Sequence, residues 1–132
     1  MIFDFLYSGI YFFMDRIIYS GKYSNHEIGP KLHTFLVTYF VHSLNLNTIL
    51  DLLLFLKYGK VFGWWIQFPI IVTVYLFGYF LQWKNGRIDK QITSPKSETS
   101  QYSSLLLSLF YIVLSGYFFI RVGNFINTNY NP

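Results

Sequence analysis

The chain has 132 residues, enough for one domain, of which 53% are hydrophobic, 23% aromatic and 12% charged. That charged share is about half the usual one for a soluble domain, mean hydropathy is +0.36, and a soluble core of this size has no room for 15 Phe and 12 Tyr. The absence of Cys excludes disulfides, thiolate metal sites and Cys nucleophiles, and the net charge of +4 sits in short segments between apolar runs, where it reads as membrane orientation rather than nucleic-acid binding.

The first apolar run covers residues 2–19. It has Asp4 early and no cationic start, unlike a cleaved secretory signal, so it is expected to stay on the mature protein. Asp4, Ser8, Tyr11, Asp15 and Tyr19 recur at helical spacing and form one polar stripe. The expectation is a spanning helix with this stripe turned toward other helices. The alternative is a helix lying flat at the interface, although such helices carry Lys or Arg on the polar face and this stripe carries two Asp.

The second run, residues 31–57 with Pro30 at its start, spans ~40 Å as one helix, longer than a ~30 Å hydrocarbon core. Near its middle lies HSLNLNTILD, with six polar residues in ten: His42, Ser43, Asn45, Asn47, Thr48 and Asp51. Thr34, Thr38, His42 and Asn45 share one side, and His33, Asn47 and Asp51 the other. Polar groups facing lipid cost several kcal/mol, so both sides must be enclosed by the bundle or by partners. A break at residues 43–47 is the alternative, since Asn is a poor helix former.

The third run, WWIQFPIIVTVYLFGYFLQW over residues 64–83, is uncharged for 20 residues and bracketed by Trp64, Trp65 and Trp83, as interfacial aromatics bracket a span. The fourth covers residues 103–126. Ser104, Ser108, Tyr111 and Ser115 share one of its faces and read as a helix-packing seam, with a polar conduit as the alternative.

Polar connections cover residues 20–30, 58–63 and 84–102, the last opened by an Asn-Gly turn. In a four-span chain the first and third connections share a side. That side holds seven cations (Arg16, Lys22, Lys31, Lys84, Arg87, Lys90, Lys96), against three (Lys57, Lys60, Arg121) on the other. Positive charge favours the cytoplasm, which places connections 20–30 and 84–102 inside and both termini outside, in a bacterial inner membrane. In the four-span chain the second and fourth helices both run outward, and counting along them puts Asp51 and Arg121 at one depth near the outer boundary, with Asp4 at the outer end of the first helix; an Asp51–Arg121 ion pair with Asp4 close by is expected.

The expected fold is therefore all-α, a single-domain integral membrane bundle of four transmembrane helices at about 2–19, 31–57, 64–83 and 103–126, with three spans plus an N-terminal interfacial helix as the alternative. An aromatic-rich first helix, a basic SGK turn, a second helix with central Asn and a basic segment before the last helix together resemble small four-span membrane proteins of Bacteroidota. This resemblance is one of pattern over the full length, without a specific motif. It implies a location and no activity.

Catalytic chemistry finds little support. His26, Glu27 and His33 do not have H-E-x-x-H spacing, and His33 and His42 are nine residues apart, on opposite faces of one helix. No G-x-S-x-G elbow or phosphate-binding loop is present. The expectation is a non-enzymatic subunit or accessory protein of a larger membrane assembly, without metal or cofactor, with lipid and a protein partner or second copy as its neighbours and no nucleic acid. A small transporter using His42, Asn45 and Asp51, or an oligomerising membrane-perturbing effector, are the rival readings.

Overall fold

The computed structural model describes residues 2–18, 28–61, 63–93 and 96–130, and every element among them is helical. Helix α1 covers Ile2–Phe13 and continues as a π turn over Met14–Ile18. Helix α2 covers Ile28–Tyr58, α3 covers Trp64–Gly78 and continues as a π turn over Tyr79–Trp83, α4 covers Arg87–Thr93, and α5 covers Glu98–Asn129. Three of these helices are long and apolar enough to cross a membrane: Gly29–Tyr58, Trp64–Trp83 and Glu98–Asn129.

Helix α2 runs unbroken through residues 43–47. Asn45 does not break it, since its amide is engaged across to α5 instead of competing for the local backbone, and the neighbouring hydroxyls bond the helix's own carbonyls. Ser43 Oγ donates to the Tyr39 carbonyl and Thr48 Oγ1 to the Leu44 carbonyl, both at 2.7 Å. The helix ends at Gly59, whose φ of 63° requires glycine and whose N–H reaches the Phe55 carbonyl at 2.7 Å. The Asn-Gly turn after α3 is formed as the sequence suggests, with Gly86 at φ 65°. The connection expected over 84–102 is largely helical. It contains α4, and α5 begins early, at Glu98, where Ser97 caps it by accepting from the Ser100 N–H at 3.2 Å.

Helix α2 is the hub. Helix α3 packs antiparallel to it, with the Tyr75 hydroxyl donating to the Leu36 carbonyl at 2.6 Å. Helix α5 packs parallel to it on another side, and Phe55 meets Val122 and Ile126 in a small apolar cluster. Among the described residues α3 and α5 do not approach each other. The lipid-facing surfaces of α3 and α5 expose Phe68, Val72, Leu76, Phe110, Val113 and Leu114, an arrangement costly in water and ordinary in hydrocarbon.

Helix α1 with its π turn covers 17 described residues, ~25 Å. It packs antiparallel on the first half of α5: the Ser108 hydroxyl reaches the Leu6 carbonyl at 3.2 Å, and Phe12 sits edge-on to Tyr102 at 5.3 Å. Its other partners come from the connecting segments, as Asp4 meets Arg87 of α4 and Ser8 meets Lys96. Tyr7 and Tyr11 join Phe35, Tyr39 and Ile88 in the main aromatic core. The polar stripe does turn toward other elements. The helix that carries it is tied to the end of the bundle formed by α4 and the start of α2.

Close approach at two glycines fixes this packing. A methyl on Gly9 would overlap the Ser104 carbonyl and the Ser108 hydroxyl, and one on Gly78 would enter the Tyr39 ring. Gly123 has open space around it. Gly9→Ala is expected to destabilise the protein in detergent by about 1–3 kcal/mol, the usual cost of overpacking. Gly123→Ala should leave the midpoint unchanged or raise it slightly, as read by circular-dichroism melts of the two variants beside the parent.

Candidate functional site

The polar cluster of α2 is enclosed mainly by its own chain. Ser43, Asn47 and Thr48 are buried at 1%, 8% and 3% exposure, and Thr34 and Thr38 lie buried on the turns before them. Asn45 bridges to α5, its amide nitrogen donating to the Tyr111 hydroxyl at 2.7 Å and to the Ser115 hydroxyl at 2.9 Å. His42 stacks edge-on between Tyr39 and Tyr111, with ring centroids 5.7 and 6.1 Å away. Asp51 accepts from the Gln67 amide of α3 at 2.9 Å.

The expected seam on α5 is divided between two neighbours. Ser104 and Ser108 face Gly9 of α1, while Tyr111 and Ser115 receive Asn45 of α2. The expected triad of Asp51, Arg121 and Asp4 does not come together. Among the described residues Asp51 and Arg121 form no ion pair: Asp51 turns to α3, and the exposed Arg121 lies over the Tyr117 ring of its own helix at 6.0 Å. Asp51 and Arg121 lie at similar depth, but the helical phase separates them. Arg121 follows Ser115 by six residues, ~240° around the helix and off the packed face. Asp4 is at the opposite end of the bundle from that expectation, 3.2 Å from Arg87 and hydrogen-bonded by Gln91. His33 lies on the exposed side of α2, and His26 and Glu27 fall outside the described residues. Among the described residues no three His, Asp or Glu side chains converge as a metal site would require.

What the sequence did not reveal is a cavity of about 530 Å³ running along α2. Its floor is Tyr39, His42, Asn45, Leu46 and Ile49 of α2; one wall is Thr73, Val74, Phe77 and Leu81 of α3, and the other is formed by Tyr111 of α5. It opens sideways because α3 and α5 each touch α2 and not each other. One end is polar, where Gln82, Asp4 and Arg87 meet. Gln82 lies on the π turn that ends α3, is 6% exposed, and its Oε1 accepts no hydrogen bond among the described residues. A buried amide oxygen left in that state costs about 1–3 kcal/mol, and π turns are frequent at functional sites.

Charge contacts hold this end in shape. Lys31 at the start of α2 pairs with Asp89 of α4 and lies 4.5 Å over the Trp83 ring. Its carbonyl accepts from the buried Tyr7 hydroxyl at 3.0 Å. Lys96, half-buried against Ser8, is pulled below the ordinary lysine range by burial, and the nearby Asp4 charge opposes that fall. Asp15, farther along α1, is raised above the usual carboxylate range by burial, against the pull of Arg16.

No protein-family model, curated protein or solved structure matches the chain.

Two substitution sets test this geometry. A double-mutant cycle on Asn45→Leu and Tyr111→Phe is expected to give a coupling between about 0.6 and 1.7 kcal/mol, the average and the maximum found for hydrogen bonds between membrane helices. Exchanging the charges of Asp51 and Arg121 (Asp51→Arg with Arg121→Asp) is expected to restore no stability beyond the sum of the single changes. A restored melting midpoint would show that the two residues do pair.

Proposed function

We propose that this chain is a non-enzymatic accessory protein of a membrane assembly that uses the open groove along α2 to engage another membrane component. The single observation that carries this reading is a cavity of ligand size along α2, mostly apolar and with a polar end. The groove has the size of an ordinary ligand site, and its lining offers no paired carboxylates or nucleophile–base couple for covalent chemistry.

The topology that fits this reading has three spans, α2, α3 and α5, with α1 strapped to the end of the bundle that carries Arg87 and Lys96. The seven cations then stay on one side and the three on the other, so the N-terminus and the α3–α5 connection lie in the cytoplasm and the C-terminus outside. The chain has no Cys, which gives single-cysteine labelling a clean background. Lys60→Cys is expected to react with an impermeant maleimide on intact cells, and Lys90→Cys only after permeabilisation. A cysteine added before Met1 should behave like Lys90→Cys; behaviour like Lys60→Cys would establish four spans.

Occupancy of the groove is tested by placing a diazirine-bearing leucine analogue at Leu46, in the groove floor, and at Leu106, on the outer face of α5. Irradiation in native membranes is expected to give an adduct at Leu46 that is selective for one class of molecule and absent from Leu106. Identical adduct profiles at the two positions would remove the reading. A small transporter is the second reading, favoured by His42 and Asn45 lining the groove at mid-membrane. It predicts a proteoliposome flux that falls in Asn45→Leu.

A further inference from the structure

On the reading that the groove is a binding surface, its dimensions and polar end specify the occupant. From Gln82 to Thr73 the α3 wall runs nine residues, ~14 Å, close to half of a ~30 Å hydrocarbon core and therefore one leaflet deep. The groove is about 530 Å³ in volume and mostly apolar over this length, which suits one flexible apolar chain. Its middle is walled by Leu46, Ile49, Val74 and Phe77.

The end of the groove adds a headgroup code. Trp83 and Lys84 place it at the depth of the membrane interface. Arg87 is about half exposed and uses one guanidinium nitrogen on Asp4, leaving a fork whose geometry suits phosphate. Asp4, whose carboxylate already accepts from Arg87 and Gln91, adds a negative charge, and Gln82, which lines this end, has a buried amide oxygen that accepts nothing among the described residues. An anion-binding guanidinium beside two acceptors matches a zwitterion. The acceptors call for hydrogen-bond donors, and the Asp4 carboxylate for a positive charge; a primary ammonium supplies both, whereas a quaternary one has the charge and no donor.

We infer that the groove binds a zwitterionic phospholipid with a primary ammonium headgroup, its phosphate on Arg87, its ammonium between Asp4 and Gln82, and one acyl chain along α2. An anionic lipid without an ammonium would satisfy Arg87 and can offer Gln82 only a neutral hydroxyl, while setting its own charge beside Asp4 with no cation to offset it.

The test uses the full chain in nanodiscs of equal phosphatidylethanolamine, phosphatidylcholine and phosphatidylglycerol, with the diazirine at Leu46 or Leu106 and adducts identified by mass spectrometry. Phosphatidylethanolamine adducts are expected to exceed each of the other two by about tenfold at Leu46, equivalent to ~1.4 kcal/mol, and to be near parity at Leu106. Arg87→Gln, a change at an exposed residue, and Gln82→Leu should each bring Leu46 toward parity, with melting curves confirming that the variants fold. If Gln82→Leu does not fold, Arg87→Gln alone carries the comparison. Parity at Leu46 in the parent chain, or an excess of phosphatidylglycerol, overturns the inference. A polypeptide adduct at Leu46 overturns it too, but leaves the groove as a binding surface. Labelling at Leu106 with none at Leu46 overturns both.

Discussion

A hydroxyl or amide held in the middle of a bilayer has no water to bond, and leaving it exposed to lipid costs several kcal/mol. Helix α2 carries such groups on turn after turn, and the bundle is arranged around covering them. Thr34, Ser43 and Thr48 turn back to carbonyls four residues earlier, each at 2.7 Å. Asn45 and Asp51 need neighbours, and they find different ones: Asn45 draws in α5 and Asp51 draws in α3. Polar groups pointing in two directions recruit two helices to two sides of α2. The gap between those helices is the groove. One constraint, enclosure of polar groups without solvent, thus accounts for both the packing and the opening it leaves.

The end of the bundle near α4 obeys a different rule. Here charges lie close to the interface and can pair without the full cost of burial. Lys31 joins the start of α2 to α4 through Asp89 and to the end of α3 through the Trp83 ring. Asp4 joins α1 to α4 through Arg87. Exposed pairs of this kind contribute little stability individually. Their effect is positional, since they fix Arg87, Gln82 and Asp4 at the mouth of the groove, and the aromatic core around Tyr7, Phe35 and Tyr39 supplies the rigidity behind them.

Features set by one helix alone could be read directly from the residues. The Trp residues at 64, 65 and 83 mark the ends of α3, and the Asn-Gly turn falls where its glycine is needed. The seam at Ser104, Ser108, Tyr111 and Ser115 was visible as a periodic face, and the structure adds that one half serves α1 and the other α2. Features that depend on how helices meet were beyond reach. The polar stripe of α1 was visible as one face turned toward other elements, but periodicity does not say which elements these are: α5, α4 and the start of α2. The polar residues of α2 had to be enclosed by the bundle or by partners, and the residues alone did not say which; hydrogen bonds within α2 and to α3 and α5 supply part of that enclosure. The groove had no sequence signal at all, since it is created by two helices that fail to touch.

Enclosure of the α2 polar residues by a single chain is the claim on which the rest stands. Nitroxide labels placed singly along α2 in nanodiscs loaded with one copy of the protein, with oxygen collision rates measured by electron paramagnetic resonance, test it directly. Labels at Ser43, Asn47 and Thr48 are expected to be shielded from lipid-dissolved oxygen, and labels at Leu36, Phe40 and Leu53 to be accessible. Free access of oxygen to Ser43 and Asn47 in the single copy, lost only when a second protein is supplied, would contradict the account and show that the cluster is covered by a partner.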